Sequence, residues 1–216
     1  MTSVCIFDMD GVLIDSGAHH RKAWAVLLEE MAVEAEPEFW RLTIGRPAEE
    51  AVPLLLKRQV ARDEARRLAL RKRELYAAFA AEGVQSVRGV LSFVDGLARL
   101  GVPRAVGTSA TRSDVESLLA ALGLRHYFDV MVTADDVRLG KPDPEVYLES
   151  ARRLGAAPEL CLVFEDSLVG VEAARRAGMR AIGVTTAHTV DELRGAGAED
   201  TIADFEGLAW DSIARR

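Results

Sequence analysis

Val4-Cys5-Ile6-Phe7-Asp8-Met9-Asp10-Gly11 decides the fold of this chain of 216 residues. An apolar run ends abruptly in two aspartates, one residue apart, and then a glycine. A short continuous apolar run with β-branched residues predicts a strand buried on both faces. The aspartates fall at its C-terminal end, which is where ligands bind in open parallel α/β sheets. Residues i and i+2 of an extended segment point the same way, so Asp8 and Asp10 are placed to share one small volume. Two carboxylates that close repel unless one is protonated or a cation lies between them. The plainer alternative is an Asp-rich turn that caps the following helix, and the rest of the chain has to decide.

Working outward, Val12-Leu13-Ile14-Asp15-Ser16 reads as an apolar flap followed by a helix start. Trp24, Leu27, Leu28 and Met31 at helical spacing predict a helix over about 19–32. Short helical pieces broken at Gly45, Pro47 and Pro53 fill 37–60, and a long helix over about 63–81 carries Leu68, Leu75 and Phe79 on one face. Nothing between 16 and 87 reads as a buried strand. From Gly89 the pattern alternates. A helix stops at Gly101, and a strand over 103–108 ends in the hydroxyls of Thr108 and Ser109. Ser113-Asp114-Val115-Glu116 reads as a capping box whose helix runs to Gly123. A strand over 130–132 precedes a helix from Asp143-Pro144 to Gly155. A strand over 160–164 ends in Glu165-Asp166, Ser167 starts a helix that stops at Gly178, and strands follow over 181–184 and 201–203. Strands alternating with helices mean βαβ units and a parallel sheet. The expected fold is α/β: a doubly wound core of residues 1–15 and 88–216, with a helical cap of residues 16–87 inserted beside Asp8 and Asp10 as a natural lid.

The net charge of −7 argues against nucleic acid as a partner, since nothing basic is free to neutralise a row of phosphates. Acids flank the basic pieces Arg66-Arg67 and Arg71-Lys72-Arg73, as on a solvated helix face. Cys5 and Cys161 each lie in an apolar strand-like run, which fits free buried thiols in a reducing compartment. The N-terminus carries no basic-plus-apolar leader, and no apolar run approaches the roughly 20 residues of a membrane span. The expectation is a soluble cytoplasmic monomer.

Four features lie just after four expected strands: Asp8/Asp10, Thr108, Lys141 in Gly-Lys-Pro-Asp-Pro, and Glu165-Asp166. Each alone has a bland explanation: a turn threonine, a surface lysine, acids at a helix N-terminus. On this topology all four face one crevice. Three acids supply hard oxygen ligands suited to Mg²⁺, and a lysine and a hydroxyl suit a phosphoryl group. No histidine, cysteine or serine is placed as a nucleophile with an adjacent base. A carboxylate that forms an aspartyl-phosphate is a known solution. One aspartate would then attack phosphorus while the second shuttles a proton.

Phe7-Asp8-Met9-Asp10-Gly11, the Thr108 strand end, Lys141-Pro142 and Glu165-Asp166-Ser167 together resemble the four ordered motifs of the haloacid dehalogenase superfamily. The resemblance spans essentially the whole chain. It implies a Rossmann-like core and Mg²⁺-dependent phosphoryl transfer, with Asp8 as nucleophile and Asp10 as general acid/base. It implies metal ligation by Asp8, the Asp10 carbonyl and Asp166, with Glu165 as a supporting acid or a further ligand. Thr108, Ser109 and Lys141 would hold the phosphate. Within the superfamily the chain is similar to the β-phosphoglucomutase and phosphoglycolate-phosphatase-like branch, through Asp15-Ser16, the helix from His20 to Trp24, and Lys72 and Tyr76. His20 corresponds to a cap histidine that positions the acid/base residue, and Lys72 to a phosphate-proximal lysine. The mutase cap loop has an arginine where this chain has Ala48, in Gly45-Arg46-Pro47-Ala48-Glu49; Arg46 is shifted from that place, and the weakened second anion site favours a phosphatase over a mutase. Val87-Arg88-Gly89 also lacks the proline that usually precedes that glycine, which puts the hinge geometry in question. The expected activity is hydrolysis of a small phosphomonoester of sugar-phosphate or phosphoglycolate type. A phosphomutase and a catalytically inactive binding protein are the alternatives.

Overall fold

The computed structural model of the chain describes residues 4–35 and 37–214. Val4–Phe7 forms strand β1, with every residue buried. It lies in the middle of a six-stranded sheet with β4 (Arg104–Gly107), β5 (Val130–Val132), β6 (Cys161–Glu165), β7 (Arg180–Val184) and β8 (Asp200–Ile202). The order is β5-β4-β1-β6-β7-β8, and each pairing is parallel. The chain winds outward from β1 through β4 to β5, then returns to β1's other side for β6. That reversal is the topological switch at which doubly wound sheets bind ligands. Asp8 follows β1, Glu165 ends β6 and Asp166 comes just after it, so the two acidic motifs flank the switch.

Side chains alternate across the sheet. Cys5 and Phe7 join Val106, Leu162 and Phe164 in one apolar cluster, while Val4 and Ile6 join Ala105, Val163 and Ala181 in the other. Cys5 and Cys161 are buried free thiols, one in each cluster. The helices α5 (Val90–Arg99), α6 (Arg112–Ala121), α7 (Glu145–Leu154), α8 (Leu168–Arg176), α9 (Val190–Ala196) and α10 (Trp210–Ala214) complete this part. Phe7, Phe93, Phe164 and Phe205 pack ring on ring, with Phe205 centroids 5.2 Å from Phe164 and 5.3 Å from Phe93. Phe205→Ala removes a ring that is 1% exposed. We expect it to cost about 3–5 kcal/mol, read as a lowered urea midpoint at unchanged m-value.

The remaining helices are α1 (Gly17–Glu30), α2 (Pro37–Leu42), α3 (Ala48–Leu56) and α4 (Arg62–Ala81). They surround their own apolar cluster of Trp24, Leu27, Leu28, Phe39, Ala51, Val52 and Leu55. Two short strands, β2 (Ile14–Asp15) and β3 (Gln85–Ser86), pair antiparallel where the chain enters and leaves this helical block. Val87 N–H donates to the Leu13 carbonyl beside them. Without the usual proline, the segment is held instead by Phe205 N–H on the Arg88 carbonyl at 2.9 Å.

Local readings differ from the structure in four places. Pro53 lies inside α3 rather than breaking it. It removes one intrahelical donor, and the burial of Ala51, Val52 and Leu55 around it holds the turn. Thr111, not Ser113, caps α6, its hydroxyl accepting from Asp114 N–H. Pro144 occupies the cap position of α7, with Asp143 accepting from Glu145 N–H at 3.0 Å. β2 and β3 are a strand pair that the sequence reading did not contain. Two-residue strands carry too few side chains for a period to show. Among the described residues, no helix is long and apolar enough to cross a membrane.

Candidate active site

The loop after β1 is folded tightly on itself. The Met9 carbonyl accepts from Leu13 and Ile14 N–H, and Gly11 N–H donates to the Ile14 carbonyl at 2.7 Å. Gly11 has φ +73°, and a Cβ there would meet Asp166 Oδ2 at 1.9 Å. Only glycine lets this turn close against the acid from β6.

Asp8 and Lys141 are buried, and Lys141 Nζ donates to Asp8 Oδ1 at 2.8 Å and to Glu165 Oε1 at 2.6 Å. Glu165 spends both oxygens on the protein. Oε1 also accepts from the Tyr147 hydroxyl at 2.8 Å, and Oε2 accepts from the backbone N–H and the hydroxyl of Ser167, each at 2.8 Å. Gly170 makes room for that carboxylate, since a Cβ there would lie 1.7 Å from Glu165 Oε1. Glu165 therefore holds Lys141 in place from behind.

Three buried acids, Asp8, Glu165 and Asp166, each present an oxygen within 4.8 Å of the others. Burial, helped by the neighbouring carboxylates, raises Asp8 to about 7 against the pull of Lys141. Burial and the charges of Glu165, Asp8 and Asp10 push Asp166 well above the ordinary range. Lys141 itself is opposed by burial, yet Asp8 and Glu165 hold its pKa above the usual lysine value. One lysine among these acids leaves an excess of negative charge. An all-oxygen, carboxylate-rich donor set with that excess fits a hard divalent cation such as Mg²⁺.

Asp10 turns the other way, toward the helical block. Its Oδ1 accepts from the Ser16 hydroxyl at 2.5 Å and from His20 Nε2 at 3.0 Å. Burial works to raise Asp10, but His20, Ser16 and Lys72 outweigh it and hold the pKa at about 2. Burial and Lys72 lower His20 below its usual value. Lys72 Nζ lies 2.6 Å from His20 Nδ1. An ammonium can only donate, so Nδ1 accepts, and the remaining ring proton sits on Nε2 facing Asp10. His20 stacks on Tyr76 with centroids 4.1 Å apart.

A cavity of about 760 Å³ opens between the helical block and the strand ends. Asp8, Asp10, Thr108, Ser109, Lys141 and Asp166 line its floor, and His20, Arg46 and Lys72 its other wall. Glu165 lies beneath the lining. Thr108 is 2% exposed, and its hydroxyl accepts from Ala110 N–H at 3.2 Å. The Ser109 hydroxyl is engaged across the seam, donating to the Gly45 carbonyl at 3.1 Å. Arg73 pairs with Asp114 at 2.8 Å, a second bond from the helical block to the sheet domain. Arg46 Nε is buried without a hydrogen-bond partner among the described residues. The sequence reading contained neither Tyr147 nor the loop after β7, where Thr186 and His188 lie beside Asp166. Tyr147 shares its helix face with core residues and gives no signal. The loop gives one: a hydroxyl and a histidine just past a parallel strand.

The chain matches the family model of the haloacid dehalogenase-like hydrolases over residues 5–184. It is 36% identical over 217 residues to the validoxylamine A 7'-phosphate phosphatase of Streptomyces hygroscopicus subsp. limoneus, covering 99% of each chain. It is 37% identical over 179 residues to the fructose-1-phosphate phosphatase of Escherichia coli, covering 83% of this chain and 94% of that one. A solved hydrolase from Pseudomonas syringae superposes with a TM-score of 0.91 at 27% identity, over 99% of this chain and 100% of the other. Motif order, fold and these matches agree, and the chain belongs to the haloacid dehalogenase-like hydrolases.

Proposed function

We propose that the protein is a Mg²⁺-dependent phosphatase that hydrolyses a small phosphorylated carbohydrate-like metabolite through an aspartyl-phosphate on Asp8. The observation that carries this reading is the buried pair of Asp8 and Lys141 beside Asp166, a nucleophile, a cation and a further acid facing one cavity. The two phosphatase relatives, one named for validoxylamine A 7'-phosphate and the other for fructose 1-phosphate, support the substrate class. The cavity is in the range that takes a whole small molecule rather than a bare phosphate.

Lys141 holds Oδ1 of Asp8, leaving Oδ2 to attack phosphorus as the ester P–O bond breaks. The leaving oxygen takes a proton from Asp10. Water then attacks phosphorus, Asp10 removes its proton, and the bond to Asp8 breaks. Lys141 and Thr108 face the phosphoryl oxygens. Mg²⁺ held by Asp8, Asp166 and the Asp10 carbonyl would offset the charge of the transferring group. Asp10 rests as an anion, suited to the second half. The proton it needs for the first is held by the chain Lys72–His20–Asp10. The helical block closes as a cap over the reacting groups and excludes bulk water.

Burial, offset in part by Asp10 and Asp114, lowers Lys72 to about 8. Above that pH Lys72 has lost its proton, so the chain Lys72–His20–Asp10 no longer holds the one that Asp10 passes to the leaving oxygen. The kcat/KM profile should fall on the alkaline side with a midpoint near pH 8, and Lys72→Met should remove that limb. An unchanged limb in Lys72→Met would assign it elsewhere.

A phosphomutase needs a second anion site in the cap. Ala48 brings no charge, and the unpartnered Arg46 Nε is what remains for that role. Incubation with a panel of sugar phosphates, with and without Mg²⁺, tests the proposal. We expect inorganic phosphate release that depends on Mg²⁺. Conversion of β-glucose 1-phosphate to glucose 6-phosphate without net phosphate release would select the mutase.

A further inference from the structure

The turn that carries Asp166 is held by residues outside the four motifs. β6 pairs with β7 as far as Glu165 opposite Gly183, so Asp166 lies one residue beyond the ladder. A backbone carbonyl at that buried position needs a donor. His188, 5% exposed and in the loop after β7, supplies it: Nδ1 lies 2.9 Å from the Asp166 carbonyl oxygen. A carbonyl only accepts, so the ring proton is on Nδ1. Nε2 is then a buried acceptor with no partner among the described residues. The ring is thus committed to one bond. Two residues earlier, the Thr186 hydroxyl donates to the Gly11 carbonyl at 2.7 Å and lies 3.3 Å from Asp166 Oδ2. A Cβ on Gly11 would run into that same carboxylate. Three loops, after β1, β6 and β7, therefore converge on Asp166. His188 fixes its main chain, and Thr186 and Gly11 enclose its carboxylate.

We infer that His188, assisted by Thr186, is a positioning residue that sets the metal affinity of the site by holding Asp166. The inference rests on reading Asp8 and Asp166 as a cation site. Neither His188 nor Thr186 is assigned contact with the phosphate or the metal. Groups behind a metal ligand that orient it typically shift metal affinity about 10–100-fold when removed.

The test is direct binding of Mn²⁺ to the full chain, followed by the loss of the free-ion electron paramagnetic resonance signal, alongside melting in the presence of chelator. His188→Leu should weaken Mn²⁺ binding by about 10–100-fold. His188→Asn, whose amide nitrogen sits where Nδ1 does, should bind within a few-fold of the parent. Thr186→Val keeps the shape, removes the hydroxyl, and should also weaken binding; it serves as the deciding variant where His188→Leu does not fold. Parent-like Mn²⁺ affinity in His188→Leu, or in Thr186→Val if that variant decides, would overturn the inference. So would equal losses in His188→Leu and His188→Asn, because restoring the hydrogen bond would then restore nothing. A parent chain that takes up no Mn²⁺ would instead overturn the metal reading itself.

Discussion

Asp8→Asn should abolish phosphate release, lowering kcat by about 10⁴-fold or more, as the loss of a covalent nucleophile does elsewhere. The amide has the same shape and still accepts the Lys141 hydrogen bond through its oxygen, but it cannot attack phosphorus. The fold should survive, and the stability change has a predictable sign. Burial and the neighbouring acids raise Asp8 from 3.8 to about 7 in the folded chain. The stability this carboxyl contributes is therefore full below about pH 3.8 and is lost as pH rises toward 7, because the unfolded chain gives up the proton first. Asparagine has no proton to lose. Measured without metal, the variant should gain on the parent as pH rises through that window, ending at an equal or higher melting temperature at pH 8. A variant that releases phosphate normally would remove Asp8 from the chemistry.

Lys141→Met should be nearly as damaging to activity and far more damaging to the fold. The side chain is 1% exposed and bridges Asp8 and Glu165. Methionine fills similar space without charge, so buried carboxylates lose their counter-ion. Breaking a buried ion pair from one side costs about 3–5 kcal/mol. The site also loses its cation for the transferring group, and removing one such stabilising contact lowers kcat by about 10²–10³-fold. The penalty should be smaller at pH 5 than at pH 8: Lys141 pulls Asp8 down, so without it Asp8 keeps its proton to higher pH, and the parent gains from the ionised pair only above about 7. Denaturant unfolding at pH 5 and pH 8 separates these effects: a penalty that is the same at both values would mean packing, not charge, is what Lys141 supplies.

The sheet was readable from the sequence because its strands are short apolar runs, and a run such as Val4–Phe7 has few other places to go than a doubly covered position. Alternation with helices makes the strands parallel, and parallel strands put the residues that follow them, Asp8, Thr108, Lys141 and Asp166, at one end of the sheet. What the residue types could not give was direction. Nothing in Asp8-Met9-Asp10 states that one carboxylate faces Lys141 while the other faces Ser16 and His20; the tight loop closed by Gly11 makes that division. Glu165 and Asp166 are equally acidic neighbours, yet Ser167, Tyr147 and Lys141 consume Glu165, leaving Asp166 to line the cavity. The Ser109 hydroxyl is bonded to the Gly45 carbonyl, a partner 64 residues away that its neighbours in sequence do not announce. His188 went unread for the same reason. Its role depends on a carbonyl left over at the end of a ladder, which is a property of register and not of composition.

The central claim is that phosphorus passes through Asp8, in two displacements, on its way to water. The stereochemical course at phosphorus tests this most directly, using a substrate ester made chiral with oxygen isotopes and following the configuration of the phosphoryl group into an alcohol acceptor. Two in-line displacements predict overall retention of configuration. Inversion would mean a single direct attack by the acceptor, and would contradict the covalent role assigned to Asp8.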